Sequence, residues 1–218
     1  MVIAIDGPAG SWKSTIAKLL AEKLKGPDGG EYTYINSGKL YRAITLGCLR
    51  AGINPSDSEK VIEFAKNAHI EYQKDQVFLE GEDVTKSLHT DEIDKHSAPL
   101  SAIVPVRHIV NALVRSLAAD RHVVVEGRDI TTVVFPDAEY RFYLDASAEA
   151  RAKRRFDQGV SSLGLDEIKS AILQRDEIDK NKTEGKLEIA DGVHFLDTSD
   201  LTIFQVYDKL IETIDHSK

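Results

Sequence analysis

Short apolar runs and helically spaced apolar residues follow one another along the whole chain. Runs rich in β-branched and aromatic residues predict buried strands at residues 2–5, 32–35, 122–125, 140–144 and 193–196. Apolar residues three and four positions apart predict helices at residues 16–24, 37–50, 91–98, 105–119, 148–158, 166–180 and 203–214, and a further helix that opens at 55–57. This alternation predicts an α/β fold, a doubly wound parallel sheet with helices on both faces.

Two segments depart from that alternation. Residues 69–73 and 76–79 alternate like paired strands, with Lys74-Asp75 as the turn, and predict an antiparallel hairpin. We assign residues 53–104, which contain this hairpin, to an insertion within a single domain of residues 1–218. Residues 151–187 are highly charged and hold glycines at 159, 164 and 185, a composition typical of a lid that closes over a site.

Composition and charge narrow the class of protein. With 218 residues, 42% hydrophobic and 29% charged, the chain matches an ordinary globular domain. Five apolar residues before Asp6 are too few for a signal peptide, and no run is long enough to span a membrane. The formal net charge of −8 argues against a general nucleic-acid surface. We therefore expect a cytoplasmic monomer with neither a membrane nor a nucleic-acid partner.

The cysteine and histidine residues predict no chemistry of their own. Cys48 is the only cysteine, which excludes an internal disulfide and favours a reducing compartment. It lies among apolar residues, so we expect a buried core thiol. The seven histidines are scattered without metal-ligand spacing.

The segment between the first predicted strand and helix is typical of a phosphate-binding loop, or P-loop. It matches the pattern G-x-x-x-x-G-K-[ST] with one exception. Its residues are Gly7, Pro8, Ala9, Gly10, Ser11, Trp12, Lys13, Ser14 and Thr15. The backbone N–H groups at a helix N-terminus bind phosphate, Lys13 is placed to reach the β- and γ-phosphates, and the Ser14 hydroxyl is placed to ligate Mg²⁺. The segment therefore predicts ATP and Mg²⁺ as ligands.

Trp12 stands where the pattern has its second glycine. A glycine lets the backbone approach the phosphates closely, and a Cβ with an indole can prevent this approach. Two alternatives stay open: the indole turns away and the nucleotide binds weakly, or the donor pocket is closed and the enzyme is impaired.

Polar residues follow two of the predicted strands, where ligands of this fold class bind. Ser37 and Arg42 come after the second strand; they either bind ligand or serve as a helix N-cap and a solvated charge, respectively. Glu126, Arg128 and Asp129 come after the run at 123–125, and a carboxylate and an arginine there match the donors and acceptors of cytosine. The alternative is a structural Arg–Asp pair across a turn.

The densest basic stretch lies in the predicted lid. Arg151 and Arg155 are four residues apart, so they share one helix face and could clamp a transferring phosphoryl group. The alternative is a solvated basic face.

At this point the chain resembles the bacterial cytidylate kinases, a family of P-loop nucleoside-monophosphate kinases. The resemblance covers nearly the whole length. It rests on IDGPAGSWKST at the start, NSGKLYRA from Asn36, LEGEDVT from Leu79, GRDITTVVFPDA from Gly127, YLDAS from Tyr143 and RDEIDKNK from Arg175.

The resemblance implies ATP-dependent phosphorylation of CMP and dCMP by a core, a monophosphate-binding insertion and a helical lid. By matching position it implies an acceptor-binding set of Ser37, Arg42, Arg107, Arg128 and Asp129, with Asp179 and Lys182 near the sugar. It also implies that Arg151, Arg155 and Arg175 bind phosphate and act in catalysis together with Lys13.

The chain departs from the family pattern at three positions. Trp12 replaces glycine, Glu126 stands where we expect aspartate, and Lys182 stands where we expect arginine. Two other functions therefore stay open: a kinase for another acceptor, such as UMP, AMP or an alcohol, and a pseudokinase that binds CMP without turnover.

Overall fold

A computed structural model describes residues 1–159 and 161–216 of the chain. Five parallel strands form the central sheet in the order β2-β6-β1-β7-β8, and three antiparallel strands form a second, smaller sheet in the order β3-β4-β5. The strands are β1 (Val2–Asp6), β2 (Tyr32–Asn36), β3 (Ile70–Gln73), β4 (Gln76–Leu79), β5 (Glu82–Asp83), β6 (His122–Gly127), β7 (Tyr140–Asp145) and β8 (His194–Asp197).

Helices cover both faces of the central sheet, as the doubly wound prediction requires. The helices are α1 (Lys13–Lys23), α2 (Ser37–Arg50), α3 (Ser58–Asn67), α4 (Asp91–Leu100), α5 (Val104–Ala118), α6 (Ala148–Asp157), α7 (Leu165–Lys180) and α8 (Ile203–His216). One apolar cluster joins the sheet to α2, α3 and α5. A second cluster joins the opposite face to α1 and α8. The predicted fold class is confirmed.

The pleat of the strands explains why each one serves two clusters. Ile3 and Ile5 of β1 lie in the α1–α8 cluster, and Ala4 between them lies in the other. In the same way Val124 of β6 faces α1 and α8, whereas Val123 and Val125 face the opposite side. Successive side chains of a strand point to opposite faces, so a run without polar residues is what a strand buried on both faces needs.

The predicted hairpin forms β3 and β4, which pair antiparallel from Ile70–Leu79 to Gln73–Gln76. Its turn residues Lys74 and Asp75 have φ values of 47° and 65°, the left-handed backbone that a tight hairpin turn needs. β5 adds a two-residue third strand that the sequence pattern did not predict. Between this sheet and α5 lies α4, whose first turn carries three acidic residues.

Two helices, α6 and α7, form the segment predicted as a lid. They pack on each other through a small cluster of Ala152, Ile168 and Ile172, which is separate from the two clusters of the sheet. α7 also contacts α4, so this segment touches the part of the chain that carries the hairpin.

Two further findings concern burial and length. Cys48 is fully buried and free, as expected for a core thiol. Across residues 1–159 and 161–216, no single helix is long and apolar enough to cross a membrane; α4 and α5 pass that test only as a pair, bent by 102°.

Candidate active site

The P-loop joins the carboxyl end of β1 to the start of α1. Gly7 has φ 145° and Gly10 has φ 79°, values that residues with a side chain rarely adopt. A Cβ on Gly7 would overlap the carbonyl oxygen of Leu144, and a Cβ on Gly10 would press against Arg151. The loop therefore needs glycine at both positions, for backbone conformation and for space.

Basic side chains hold four successive carbonyl groups of the loop. The donors and acceptors are Arg128 Nη1 to Gly7 O (3.0 Å), Lys13 Nζ to Pro8 O (2.7 Å), Arg151 Nη1 to Ala9 O (3.2 Å) and Arg154 Nη1 to Gly10 O (3.3 Å). Because each carbonyl group has a fixed cationic donor, the loop is braced in one conformation.

Trp12 occupies the N-cap position of α1 with φ 69°, in the left-handed region. Its indole is turned onto the guanidinium group of Arg154, whose central carbon lies 3.4 Å from the ring centroid. Arg154 is held in place by Thr198, which accepts from it through both its carbonyl and its hydroxyl oxygen. The ring packs against the cluster beneath α1 and α8. The indole thus lies between Arg154 and the α1–α8 cluster.

Lys13 is buried, and burial followed by the nearby charge of Arg128 lowers its pKa to about 7. Its ammonium group donates to the loop itself, at Pro8 O. An anionic phosphate that approached Lys13 would favour the charged form again.

Ser14 and Glu126 place two oxygen donors side by side. Ser14 Oγ donates to Glu126 Oε1 at 2.6 Å, and the hydroxyl of Tyr34 donates to the same carboxylate oxygen at 3.1 Å. Mg²⁺ at phosphoryl-transfer sites takes one or two protein oxygens and completes its shell with phosphates and water. This pair fits Mg²⁺ by donor chemistry. Within residues 1–159 and 161–216, no cluster of three or more His, Cys, Asp or Glu side chains offers another metal site.

Asp6 fixes the turn that follows β6. Its carboxylate accepts from Ile130 N (2.9 Å) and from Thr131 N and Oγ1 (both 2.7 Å). Burial raises the pKa of Asp6 to about 6, against the lowering effect of these hydrogen bonds. Asp6 thus supports the turn that follows Arg128 and Asp129.

Two buried ion-pair groups follow β6. Asp129 binds the guanidinium group of Arg107, and both side chains are almost completely buried. Arg128 Nε donates to Asp179 at 2.9 Å, and Lys182 Nζ lies 2.6 Å from the other oxygen of that carboxylate. Arg128 and Asp129 therefore pair with distant partners, and the alternative of a local Arg–Asp pair across the turn was wrong.

Burial raises the pKa of these two carboxylates, and the cations around them lower it. Burial raises the pKa of Asp129 in spite of Arg107. For Asp179, burial is outweighed by Arg128, Lys182 and Arg175, which bring its pKa below the usual range. Asp179 therefore stays ionised, with three cations around it.

Ser37 begins α2, and the N-cap is its neighbour Asn36. The Asn36 side chain accepts from Lys39 N at 3.2 Å, whereas Ser37 Oγ donates to the carbonyl oxygen of Glu126 at 2.9 Å. The expectation that Ser37 caps α2 was wrong, because asparagine one residue earlier already accepts from the first turn. Ser37 instead ties α2 to the end of β6.

Three arginines from different elements meet at Asp94 of α4. Arg42 of α2 and Arg155 of α6 bind its two carboxylate oxygens, and Arg175 of α7 lies 3.6 Å from one of them. The side chain of Arg42 is only 11% exposed, so the alternative of a solvated charge was wrong for this residue.

Arg151 has a different environment from Arg155. It is buried and donates to Ala9 O and Ala146 O, and it pairs with Asp176 at 2.8 Å. The alternative of a solvated basic face fails for both arginines, although Lys153 between them is largely exposed. Arg151 braces the P-loop, while Arg155 points to the cluster at Asp94.

The sequence pattern did not single out several residues that hold this site together. They are Asp6, Tyr34, Asp94, Arg154 and Asp176. Each acts on a residue far away in the chain, such as Asp94 on Arg175, so no local motif marks it. The sequence carried one indirect indication: buried arginines need carboxylate partners, because an unpaired buried charge is costly. It did not indicate which carboxylates these are.

The fold and this site define a class of protein. A P-loop at the carboxyl end of the central strand, with a helical segment whose arginines face it, makes this chain a kinase of the P-loop type.

Comparison with known proteins identifies the family. The model of the family described as cytidylate kinase matches residues 3–216. A cytidylate kinase of Caldanaerobacter subterraneus subsp. tengcongensis is 41% identical over 215 residues, which cover 97% of this chain and 93% of that protein. One of Borrelia duttonii is 40% identical over an alignment of 223 positions, which covers 100% of both chains. The chain therefore belongs to the cytidylate kinase family, and it is a nucleoside-monophosphate kinase.

A solved structure gives independent support for the fold alone. An uncharacterised protein from Eubacterium ventriosum aligns with a TM-score of 0.55 at 14% identity, over 99% of this chain and 98% of that one. The fold thus extends to proteins whose sequences have diverged strongly.

Proposed function

We propose that this kinase transfers the γ-phosphoryl group of ATP to CMP or dCMP and releases ADP with CDP or dCDP. The observation that carries the proposal is the meeting of Arg42, Arg155 and Arg175 at one point. Arg175 Nε lies 3.8 Å from Asp179, which accepts from Arg128, and Arg128 in turn donates to Gly7 O of the P-loop, so this cationic point is linked to the P-loop. Such an arrangement suits a phosphoryl group that passes between two nucleotides.

In this proposal the donor nucleotide binds at the P-loop. Its phosphates lie at the N-terminus of α1 and on Lys13, while Ser14 and Glu126 hold Mg²⁺. When bound, the ion would supply positive charge that neutralises the phosphate oxygens. Glu126 is thereby assigned to the metal side of the site and no longer to cytosine, because its carboxylate lies on Ser14.

The acceptor nucleotide binds on the side of β6 and α5. An Asp carboxylate can accept from the exocyclic amine of cytosine, and an arginine can donate to its ring acceptors. Asp129 and Arg107 supply this pair, with Ser37 nearby at the end of β6. Arg128, Asp179 and Lys182 lie beside them and suit the sugar and the phosphate.

Residues 53–104 are proposed as the insertion that holds the acceptor, and residues 151–187 as the lid. α4 of the insertion and α6 and α7 of the lid meet at Asp94, so closure would bring their charges around the reacting phosphates and exclude water.

The chemistry needs no side-chain base. The nucleophile is an oxygen of the acceptor monophosphate, whose second pKa is about 6 and which is largely ionised at neutral pH. Catalysis then rests on positioning and on charge neutralisation by Lys13, Arg155 and Arg175. Arg151 contributes by holding the P-loop.

A pseudokinase that binds CMP without turnover is the second candidate, and Trp12 is the observation that favours it. The Trp12 backbone adopts the left-handed conformation that suits glycine, and its indole lies beside the loop that binds the donor.

A coupled ADP-release assay tests both candidates. The chain and its Trp12→Gly variant are supplied with Mg-ATP and CMP, dCMP, UMP or AMP. The proposal expects turnover of CMP and dCMP by both proteins. Turnover by the glycine variant alone would favour the pseudokinase, and absence of cytidine turnover in both would overturn the substrate assignment.

A further inference from the structure

Asp94 is a carboxylate surrounded by three arginines. They come from three separate elements: Arg42 from α2 of the core, and Arg155 and Arg175 from α6 and α7 of the lid. Asp94 itself belongs to α4 of the insertion. One side chain therefore joins core, insertion and lid.

The charges at this point do not balance. Three guanidinium groups meet at one carboxylate. The other carboxylate near Arg175 is Asp179, 3.8 Å from Arg175 Nε, and it is already paired with Arg128 and Lys182. Arg175 Nε is buried and has no hydrogen-bond partner. Burial, and then the charge of Arg128, lower the pKa of Arg175 to about 10. A carboxylate offers one negative charge and two oxygens, whereas a phosphate offers up to two charges and three oxygens. The cluster is thus better matched to a phosphate group than to Asp94.

We propose that Asp94 is a positioning residue that holds Arg42, Arg155 and Arg175 together until a nucleotide phosphate takes its place among them. This proposal rests on the proposed function, which supplies the phosphate. Without Asp94 the three like charges would repel one another and the lid would separate from the insertion. With Asp94 the arginines stay assembled, but an incoming phosphate has to compete with a carboxylate.

If the Asp94 carboxylate competes with phosphate, removing it raises phosphate affinity, which a purely structural role of Asp94 does not predict. Replacing Asp94 by asparagine keeps the shape of the side chain and removes its charge. The Asp94→Asn variant is expected to bind inorganic phosphate at least ten-fold more tightly than the unchanged protein, because the competing anion is gone. Its α6 and α7 amides are expected to exchange hydrogen faster without ligand and at the unchanged rate with saturating phosphate.

Two further variants serve as controls. Glu92→Gln removes the same charge from the same helix turn at an exposed position, and it is expected to change neither phosphate affinity nor exchange. Asp94→Glu keeps the charge on a longer side chain and is expected to stay within three-fold of the unchanged affinity.

Phosphate affinity is measured by isothermal titration calorimetry and exchange by mass spectrometry. A phosphate affinity that is unchanged or lower in Asp94→Asn would overturn the proposal, as would faster exchange that saturating phosphate fails to reverse. ADP release with CMP, measured on the unchanged protein, separates the two proposals. If the unchanged protein turns over CMP but Asp94→Asn binds phosphate with unchanged affinity, the role of Asp94 alone is overturned. If Asp94→Asn binds phosphate more tightly but the unchanged protein fails to phosphorylate CMP, the substrate assignment alone is overturned.

Discussion

Trp12 is the residue at which local conformation and tertiary contact conflict most. A left-handed backbone costs a residue with a side chain about 1–2 kcal/mol. The stack of the Arg154 guanidinium on the indole returns about 0.5–2 kcal/mol. Since these two free energies nearly cancel, the protein keeps a tryptophan in a turn that suits glycine.

For Trp12→Gly we therefore expect a free energy of unfolding within about 1 kcal/mol of the unchanged protein. ATP affinity is expected to rise, because the backbone then approaches the phosphates without a Cβ. Urea denaturation and a nucleotide titration measure the two quantities. A double-mutant cycle with Arg154→Ala isolates the stacking contribution, and a loss of stability above about 3 kcal/mol in Trp12→Gly would contradict this account.

We expect Lys13 to take up a proton when ATP binds. Its pKa is lowered to about 7, so at pH 8 it is mostly neutral in the free protein, and the ATP phosphates favour its charged form. Calorimetry at pH 8 in buffers of different ionisation enthalpy is expected to show uptake of close to one proton, about 0.8–1, per ATP. The Lys13→Met variant is the control, and equal uptake in both proteins would assign the proton to another group.

The lowered pKa of Lys13 also makes the stability of the protein depend on pH. Between pH 7 and 10.5 the unfolded chain binds the Lys13 proton and the folded chain does not. The contribution of Lys13 to the free energy of unfolding therefore rises with pH across this window.

Residue-level prediction succeeded where a motif fixes the backbone and was incomplete where partners are distant. The P-loop sequence was sufficient to place Lys13 and Ser14 at a helix N-terminus. Which carboxylate each arginine binds depends on how α4, α6 and α7 pack. Arg128 and Asp129 are neighbours in sequence, yet they pair with Asp179 and Arg107.

At the scale of elements, α6 and α7 are the part of the molecule with the smallest apolar core. Ala152, Ile168 and Ile172 form their cluster, apart from the two that hold the sheet. A segment with few buried apolar contacts opens at a lower free energy than the whole domain. We therefore expect α6 and α7 to open while the sheet stays folded.

Ile172→Ala tests this independence. Truncating a buried isoleucine costs about 2–5 kcal/mol, and here the cost falls on α6 and α7. Hydrogen exchange is expected to accelerate at residues 148–180 and to stay unchanged in β1 and β6. Leu173→Ala, at an exposed position of the same helix, is the matched control. Equal acceleration in the sheet would show that the lid and the core unfold together.

The strands and helices were predictable because their apolar periods are long and regular. Their ends agree with the prediction to within three residues, and the largest shift is that of α1, which begins at Lys13 rather than at residue 16. The two-residue β5 and the wide turn at Ile130–Val134 were missed. Both depend on contacts made elsewhere: β5 pairs with β4, and the turn is held by Asp6.

At the scale of the whole molecule, a chain of net charge −8 brings six arginines of the site next to carboxylates. Asp94, Asp129, Asp176 and Asp179 are the partners, and Asp94 is shared by three of the six arginines. These ion pairs avoid a cluster of unpaired buried cations, which would carry a high desolvation cost.

Thermal unfolding can read out the acceptor preference. A ligand at 100 times its Kd adds about 2.7 kcal/mol to the free energy of unfolding, which raises Tm by about 5–10 °C for a domain of this size. CMP is expected to give a larger shift than UMP at equal concentration. Arg128→Ala is expected to reduce the CMP shift much more than the ATP shift, which can fall slightly because Arg128 also donates to Gly7 O of the P-loop. An equal loss of both shifts would contradict the assignment of Arg128 to the acceptor.

The strand order also has a consequence for biosynthesis. β1 is the middle strand of the sheet, and its two partners, β6 and β7, lie more than a hundred residues later in the chain. At 5–20 residues per second a ribosome needs on the order of ten seconds to reach them. During that interval the apolar N-terminal strand has no edge to pair with. β1 therefore stays without its partner strands until well over half of the chain has been synthesised, and the centre of the sheet forms late.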